Sequence, residues 1–246
     1  MYDTSRRERV VFEAVVGSTM RGFNTDESDQ DTVVVFTDPL EKVLSLSGDA
    51  PKGKQNHGND DVTQYELRHY CRLLIKGNPT VYEALNSPIR PQESEFGIVL
   101  RENMDKFIDS RAIYEATRGY VHSTTKEANN LAFPAKRRGK KVLASLCVLE
   151  AGFKLLKFGE FEATPQWTTK ENALFLKSGH EDAIRIGLTA IALNLQALDR
   201  AYELEYRRVA DLSWINRFLY DVYTAPSEIK TMALLGPMRF VGGDNV

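Results

Sequence analysis

Hydrophobic and polar positions divide the chain into two unlike halves. "RVVFEAVVG" (residues 9–17) is rich in β-branched residues and stops at Gly17, a strand pattern. "STMRGF" follows with room for one short helical turn starting near Ser18, and "NTDES" reads as a loop. "DTVVVFTDP" (residues 31–39) is an unbroken apolar run halted by Asp38-Pro39. A run of that kind is buried on both faces, so it predicts a central strand. Residues 47–61, "SGDAPKGKQNHGNDD", carry no periodic apolar signal and predict a long loop, either a lid or an exposed tip. "VTQYELRHYCRLLIKGN" begins like a strand and turns into an amphipathic helix through Leu67, Tyr70, Cys71 and Leu74, closed by Gly77-Asn78-Pro79. "TVYEALNSP" predicts another short helix.

From about Ser94 the period changes. "EFGIVLRENMDKFI", "RAIYEATRGYVHSTTKEANNLAF", "KKVLASLCVLEAGFKLLKFGE", "EDAIRIGLTAIALNLQALDRAYELEYRRVA" and "LSWINRFLYDVY" all repeat at helical spacing. Tyr114, Tyr120, Phe153, Trp214 and Phe218 fall on the apolar faces and predict a bundle core. The fold class expected is α+β: an N-terminal mixed sheet with helices, then a C-terminal helical bundle. The division falls near residue 95, giving units of 1–95 and 96–246. The end, "LGPMRFVGGDNV", predicts partial disorder.

Composition narrows the picture. Apolar content of 42% and charged content of 27% over 246 residues describe an ordinary globular protein. A net charge of −2 gives no overall pull toward nucleic acid or membrane, so any polyanion site is local. The chain start lacks the apolar core of a signal peptide, and no run of about 18 apolar residues exists to span a bilayer. The two cysteines, Cys71 and Cys147, lie in helix-like patterns rather than a disulfide framework. That usage suits a reducing, cytoplasmic setting. None of the four histidines pairs with a cysteine at zinc spacing.

The candidate chemistry sits between residues 15 and 31. In a strand, residues two apart project from one face, so Asp29 and Asp31 point together. Two carboxylates held that way repel unless something offsets them. A divalent cation does so economically: Mg²⁺ takes a few carboxylates and completes its shell with water and phosphates. Upstream, Gly17 permits close backbone approach to a phosphate, and Ser18 offers a hydroxyl beside backbone N–H groups. A carboxylate pair beside a phosphate cradle describes a nucleoside triphosphate site. The 28 residues that precede Asp29 argue against a sugar-nucleotide glycosyltransferase, in which such a pair normally follows a sizeable nucleotide-binding unit. Nor is Gly-Ser a Walker A loop, because no G-K-[ST] follows.

Gly17-Ser18, Gly22 and Ser28-Asp29-Gln30-Asp31 ahead of an apolar strand resemble the DNA polymerase beta type nucleotidyltransferase superfamily. "YELRHYCRLLIKGNPTVYEALNSPI" narrows the resemblance to the nucleotidyltransferases associated with RNA repair. Those carry an acidic residue, Leu-Arg-Lys, then Asn-Pro and Glu-x-Leu ending in Ser-Pro-Ile. The likeness covers about the first 90 residues and continues more weakly through "RGKKVLASLCVLEAGFKLLKFGE", the family's basic helix. It implies a metal-binding triad completed by a carboxylate on a later strand. Glu66 falls on the family's acidic position, and Asp61, opening the same strand, is the alternative. It further implies nucleotide contacts from Gly17, Ser18, Arg68, Lys140 and Lys141. His69 stands where a Lys is common, and Ser145 where some relatives have His.

The reaction implied moves a nucleoside monophosphate from a triphosphate to a hydroxyl with release of pyrophosphate. Asp29, Asp31 and Glu66 would hold two Mg²⁺ or Mn²⁺ ions about 4 Å apart. An RNA end is the acceptor the family association implies. The alternatives are a small-molecule or protein acceptor, and a non-catalytic relative that binds nucleotide or a partner. "PAKRRGKKVL" gathers Lys136, Arg137, Arg138, Lys140 and Lys141 at the start of a long helix, where cations oppose the helix dipole unless an anion is bound. Glu83, by contrast, reads as a helix-surface charge, and Asn78 as a helix cap.

Overall fold

The computed structural model describes residues 9–25, 28–45, 53–57, 60–162, 169–204 and 207–225. β1 (Arg9–Val16) runs straight into the single turn α1 (Gly17–Met20). β2 (Asp31–Thr37) follows, then α2 (Leu40–Leu44), β3 (Gly53–His57), β4 (Asp60–Glu66), α3 (Leu67–Ile75), α4 (Pro79–Leu85) and the two-residue β5 (Gln92–Glu93). The strands form one mixed sheet ordered β3-β4-β2-β1-β5, with β2 parallel to β4 and the other pairs antiparallel. β2 is central as its apolar run predicts: every residue from Thr32 to Thr37 is buried.

The loop expected over 47–61 is corrected in part. Residues 53–57 form β3, paired with β4. "GKQNH" has no apolar alternation to announce it; it lies at the sheet edge, where pairing of its backbone with β4 makes the strand. The rest of that segment, apart from Asp60 and Asp61, lies outside the described residues, as does the C-terminal end from residue 226.

α3 buries Leu67, Tyr70, Cys71 and Leu74, the four positions its periodicity selects. Gly77, at φ +67°, ends that segment, and the Asn78 side chain accepts the Thr80 N–H to start α4. The helical half comprises α5 (Glu95–Glu102), a 3₁₀ turn (Met104–Phe107), α6 (Ser110–Asn129), α7 (Ala135–Lys157), α8 (Lys170–Lys177), α9 (Glu181–Leu204) and α10 (Leu212–Thr224). Side-chain caps from Ser94, Asp109, Thr169 and Asp211 begin four of these helices. α7 lies at the centre, buried along most of its length between α6 and α9.

Sheet and bundle share one continuous core running from Val11 and Val33 to Leu149 and Phe218. Phe218 is buried, and Tyr114, Tyr120, Phe153 and Trp214 pack against that core. Tyr82 of α4 donates to the Phe107 carbonyl (3.2 Å), and Trp214 of α10 meets the Phe107 ring edge-on. Both cysteines are buried free thiols; burial pushes Cys71 far up and Cys147 to about 11, so neither supplies a thiolate near neutrality. Among the described residues, no helix is long and apolar enough to cross a membrane.

Candidate functional site

The site begins where β1 stops. Gly17 takes φ +71°, which turns the chain from strand into α1. The last antiparallel pair of β1 and β2 is Val16 with Asp31, so Asp31 comes to rest against the turn. A Cβ on residue 17 would lie 2.7 Å from Asp31 Oδ2, so both space and backbone conformation reserve the position for glycine. Asp29 is exposed two residues before Asp31. The turn ahead of it is fixed by the Ser28 hydroxyl, which accepts the Thr25 N–H at 2.9 Å.

The parallel register of β2 and β4 decides what else arrives. Asp31 is paired with Asp61, and Phe36 with Glu66. Paired residues of parallel neighbours share a face about 4.8 Å apart, which sets Asp61 beside Asp31. Glu66 lies five positions further along β4, about 16 Å away, and the odd offset turns it to the other face. There it is buried and caps α3, accepting the His69 N–H at 3.2 Å and the Tyr223 hydroxyl. Burial raises its carboxyl pKa; Asp38 adds to the rise, while the backbone N–H groups of Arg68 and His69 and the Arg68 charge oppose it. Of the three carboxylates Asp29, Asp31 and Glu66, the structure places Asp31 at the Gly-Ser corner, Asp29 exposed in the segment ahead of β2, where the strand alternation that would align it with Asp31 does not extend, and Glu66 at the far end of its strand. Asp61 stands at the corner instead.

A scaffold that sequence reasoning missed holds the corner from behind. The Gly17 N–H donates to Glu83 Oε1 at 2.6 Å, and Arg21 Nη2 donates to Glu83 Oε2 at 2.9 Å. Both side chains are nearly buried, at 13% and 12% exposure. Burial works most strongly against the Arg21 charge, but Glu83, with Cys147 and Tyr120, outweighs it and raises the Arg21 pKa. Glu83 is thus not a surface charge. The signal for it was the spacing of Asn78-Pro79, Glu83 and Ser87-Pro88-Ile89, which acts as one clamp. The Ser87 hydroxyl donates to the Val15 carbonyl (2.6 Å) and accepts the Ile89 N–H (3.2 Å), and the Val15 N–H donates to the Ile89 carbonyl (2.9 Å). Ser87→Ala leaves a buried carbonyl short of its donor. It is expected to lower stability by about 1–3 kcal/mol, read by chemical unfolding.

The basic residues separate into two groups. Arg138 donates to the Ala128 carbonyl and Glu181, each at 2.8 Å; Arg137 (3.1 Å) and Lys141 (3.3 Å) both reach Glu127. These are ties within the bundle. Lys140 is exposed, and it is close enough to Lys177 of α8 to lower the Lys177 pKa, after burial. Lys177 donates to the Phe23 carbonyl at 2.8 Å, in the segment joining the corner to Asp29. Sequence reasoning missed Lys177 for want of any local motif. Arg68 lies at the Glu66 end of the sheet, in the first turn of α3. Ser145 is buried, shares a 2.6 Å hydrogen bond with Thr124 and donates to the Lys141 carbonyl.

Among the described residues, no three His, Cys, Asp or Glu side chains are grouped so as to hold a metal ion by themselves. The donors at the corner are nonetheless hard carboxylate oxygens. Mg²⁺ is typically held by one or two carboxylates together with substrate phosphates and water. Asp31 and Asp61, paired in register, fit that demand.

Comparisons with known proteins bear on the same region. No curated protein matches the chain. A crystal structure of a nucleotidyltransferase-like protein from Exiguobacterium sibiricum 255-15 aligns with 87% of this chain and 73% of that one, at 13% identity and a TM-score of 0.29. The model of the RNA repair pathway DNA polymerase beta family matches residues 2–182, which include the Gly-Ser corner, the three aspartates and the Glu83–Ser87 clamp. The chain belongs to the RNA repair pathway DNA polymerase beta family.

Proposed function

We propose that this protein transfers a nucleoside monophosphate from a nucleoside triphosphate to the hydroxyl of an RNA end and releases pyrophosphate. The observation that carries the reading is the meeting of Gly17-Ser18 with Asp31, and of Asp31 with Asp61 in register, inside a family of DNA polymerase beta type. Asp31 and Asp61 are the residues that would hold Mg²⁺, or Mn²⁺ in its place, together with the substrate phosphates, and Asp29 is the further carboxylate the motif offers. Bound there, the ion supplies neutralisation of phosphate charge and a lower pKa for the acceptor hydroxyl.

The chain's own groups do the rest. The Ser18 hydroxyl orients the triphosphate at the corner. Lys140 and Lys177 draw its outer phosphates, or those of the RNA, toward the bundle side. Asp61 accepts the proton of the attacking hydroxyl as the new oxygen–phosphorus bond forms and the bond to pyrophosphate breaks. Positioning and charge complementarity provide the rate, with no covalent enzyme intermediate. In this scheme residues 1–95 form the catalytic unit and 96–246 the wall opposite, with the Lys177–Phe23 contact joining the two. Two buried free thiols suit a cytoplasmic location.

The test is incubation with Mg²⁺, each α-labelled nucleoside triphosphate in turn, and an RNA pool bearing free 3′-hydroxyls. Label on RNA is expected. Label on protein or on a small molecule transfers the acceptor role to that class, and no labelled product with any of the four nucleotides overturns the enzymatic reading.

A further inference from the structure

Glu83 raises a question the proposed chemistry does not answer. A carboxylate has been placed directly behind a corner proposed to receive phosphates, where its charge repels them. We propose that Glu83 is a positioning residue for the nucleotide and metal corner: it locks Gly17 through its backbone N–H and so seats Asp31, while Arg21 cancels the charge. This rests on the functional reading above and adds a residue to it.

Three observations carry the inference. First, Gly17 is held from both sides. Its N–H is 2.6 Å from Glu83 Oε1, and its Cα packs so closely on the Asp31 carboxylate that a Cβ would come within 2.7 Å of Oδ2. Any shift of Gly17 therefore changes the room left to Asp31. Second, a hydrogen bond to an ionised acceptor is roughly twice as strong as a neutral one, which explains a carboxylate at this position. The same bond removes the Gly17 N–H from the donors open to a phosphate, leaving that contact to Ser18. Third, the Arg21–Glu83 pair is poorly built for stability alone. Arg21 Nε is buried and makes no hydrogen bond, and buried ion pairs commonly add little over apolar residues of similar volume. Arg21 instead lets Glu83 lie behind the corner without presenting net charge to it.

The experiment separates fold from positioning by making them rank the variants in opposite orders. Four proteins are compared: wild type, the Arg21→Leu/Glu83→Leu double variant, Glu83→Gln and Asp31→Asn. Unfolding midpoint and Mn²⁺ affinity, the latter from the free-ion electron paramagnetic resonance signal, are measured on each. The double variant removes the ion pair whole but leaves the Gly17 N–H without its acceptor, so its midpoint is expected to fall less than that of Glu83→Gln while it binds Mn²⁺ about tenfold more weakly, the usual effect of removing a group that orients a ligand. Glu83→Gln keeps an oxygen for the Gly17 N–H but strands the Arg21 charge. Its midpoint should fall furthest, while its Mn²⁺ affinity, lowered only by the uncancelled Arg21 charge, stays within about threefold of wild type.

A folded double variant that binds Mn²⁺ within about twofold of wild type overturns the proposal. So does a Glu83→Gln protein that binds as weakly as the double variant, which keeps the test decisive if the double variant does not fold. Asp31→Asn distinguishes this failure from a failure of the site. If it binds Mn²⁺ as wild type does, or if wild type binds none, the metal site itself is wrong and the positioning role falls with it.

Discussion

Asp31→Asn is expected to lower nucleotidyl transfer by about a thousandfold while leaving the fold intact. The substitution conserves shape and keeps one oxygen over Gly17, so the Val16–Asp31 end of the β1–β2 ladder has no reason to open. It removes a full negative charge from the place where the proposed scheme needs cation and triphosphate brought together. A thousandfold loss corresponds to about 4 kcal/mol of transition-state stabilisation, within the several kcal/mol that a metal ion supplies. A thermal unfolding curve close to that of wild type is expected, because the backbone pairing of Val16 with Asp31 does not depend on the side-chain charge. Label transfer across a Mg²⁺ series, with a thermal unfolding curve for each protein, provides the measurement. Transfer within tenfold of wild type at saturating Mg²⁺ would remove Asp31 from the machinery.

How far the sequence carried the structure depends on whether a feature is local. The β-branched runs of residues 9–16 and 31–37 and the spacing of Leu67, Tyr70, Cys71 and Leu74 are local, and the α+β class read from them is the observed one. β3 escaped because an edge strand of Gly, Lys, Gln, Asn and His is recognisable only through the partner that pairs with it. The site divides along the same line. Gly17-Ser18 and Asp31 are close in sequence, and the turn that joins them is written into a single motif. Whether Asp61 or Glu66 meets Asp31 depends on the register between two strands whose starts are some thirty residues apart, and no short pattern encodes a register. Glu83 hid for a similar reason. A glutamate on a short helix looks the same whether it faces water or a backbone N–H 66 positions earlier. Lys177, reaching back to Phe23, is the extreme case.

The opposite ends of β4 supply the second large effect. Asp61→Asn is expected to reduce transfer by about a hundredfold or more, since it removes the group proposed both to hold the cation and to accept the proton; the loss of a general base alone is typically worth 10²–10⁴. Glu66→Gln should leave transfer within a few-fold. Its amide oxygen still caps the His69 N–H, and its NH2 takes the place of the oxygen that accepted from Tyr223, whose hydroxyl turns to accept instead, all about 16 Å along the strand from Asp31. The two variants also part on stability. Burial raises the Glu66 pKa, so the native state favours its protonated form. That contribution is complete below the ordinary carboxylate value and is lost as the pH climbs through the raised one. Glutamine is neutral at every pH. Glu66→Gln should therefore flatten the fall in unfolding midpoint between acid and neutral pH, a slope that Asp61→Asn leaves in place. Active Asp61→Asn beside inactive Glu66→Gln would return the third carboxylate to Glu66 and demand a different pairing of β2 with β4 in the working enzyme. In the present register those two ends of the strand cannot serve one phosphate.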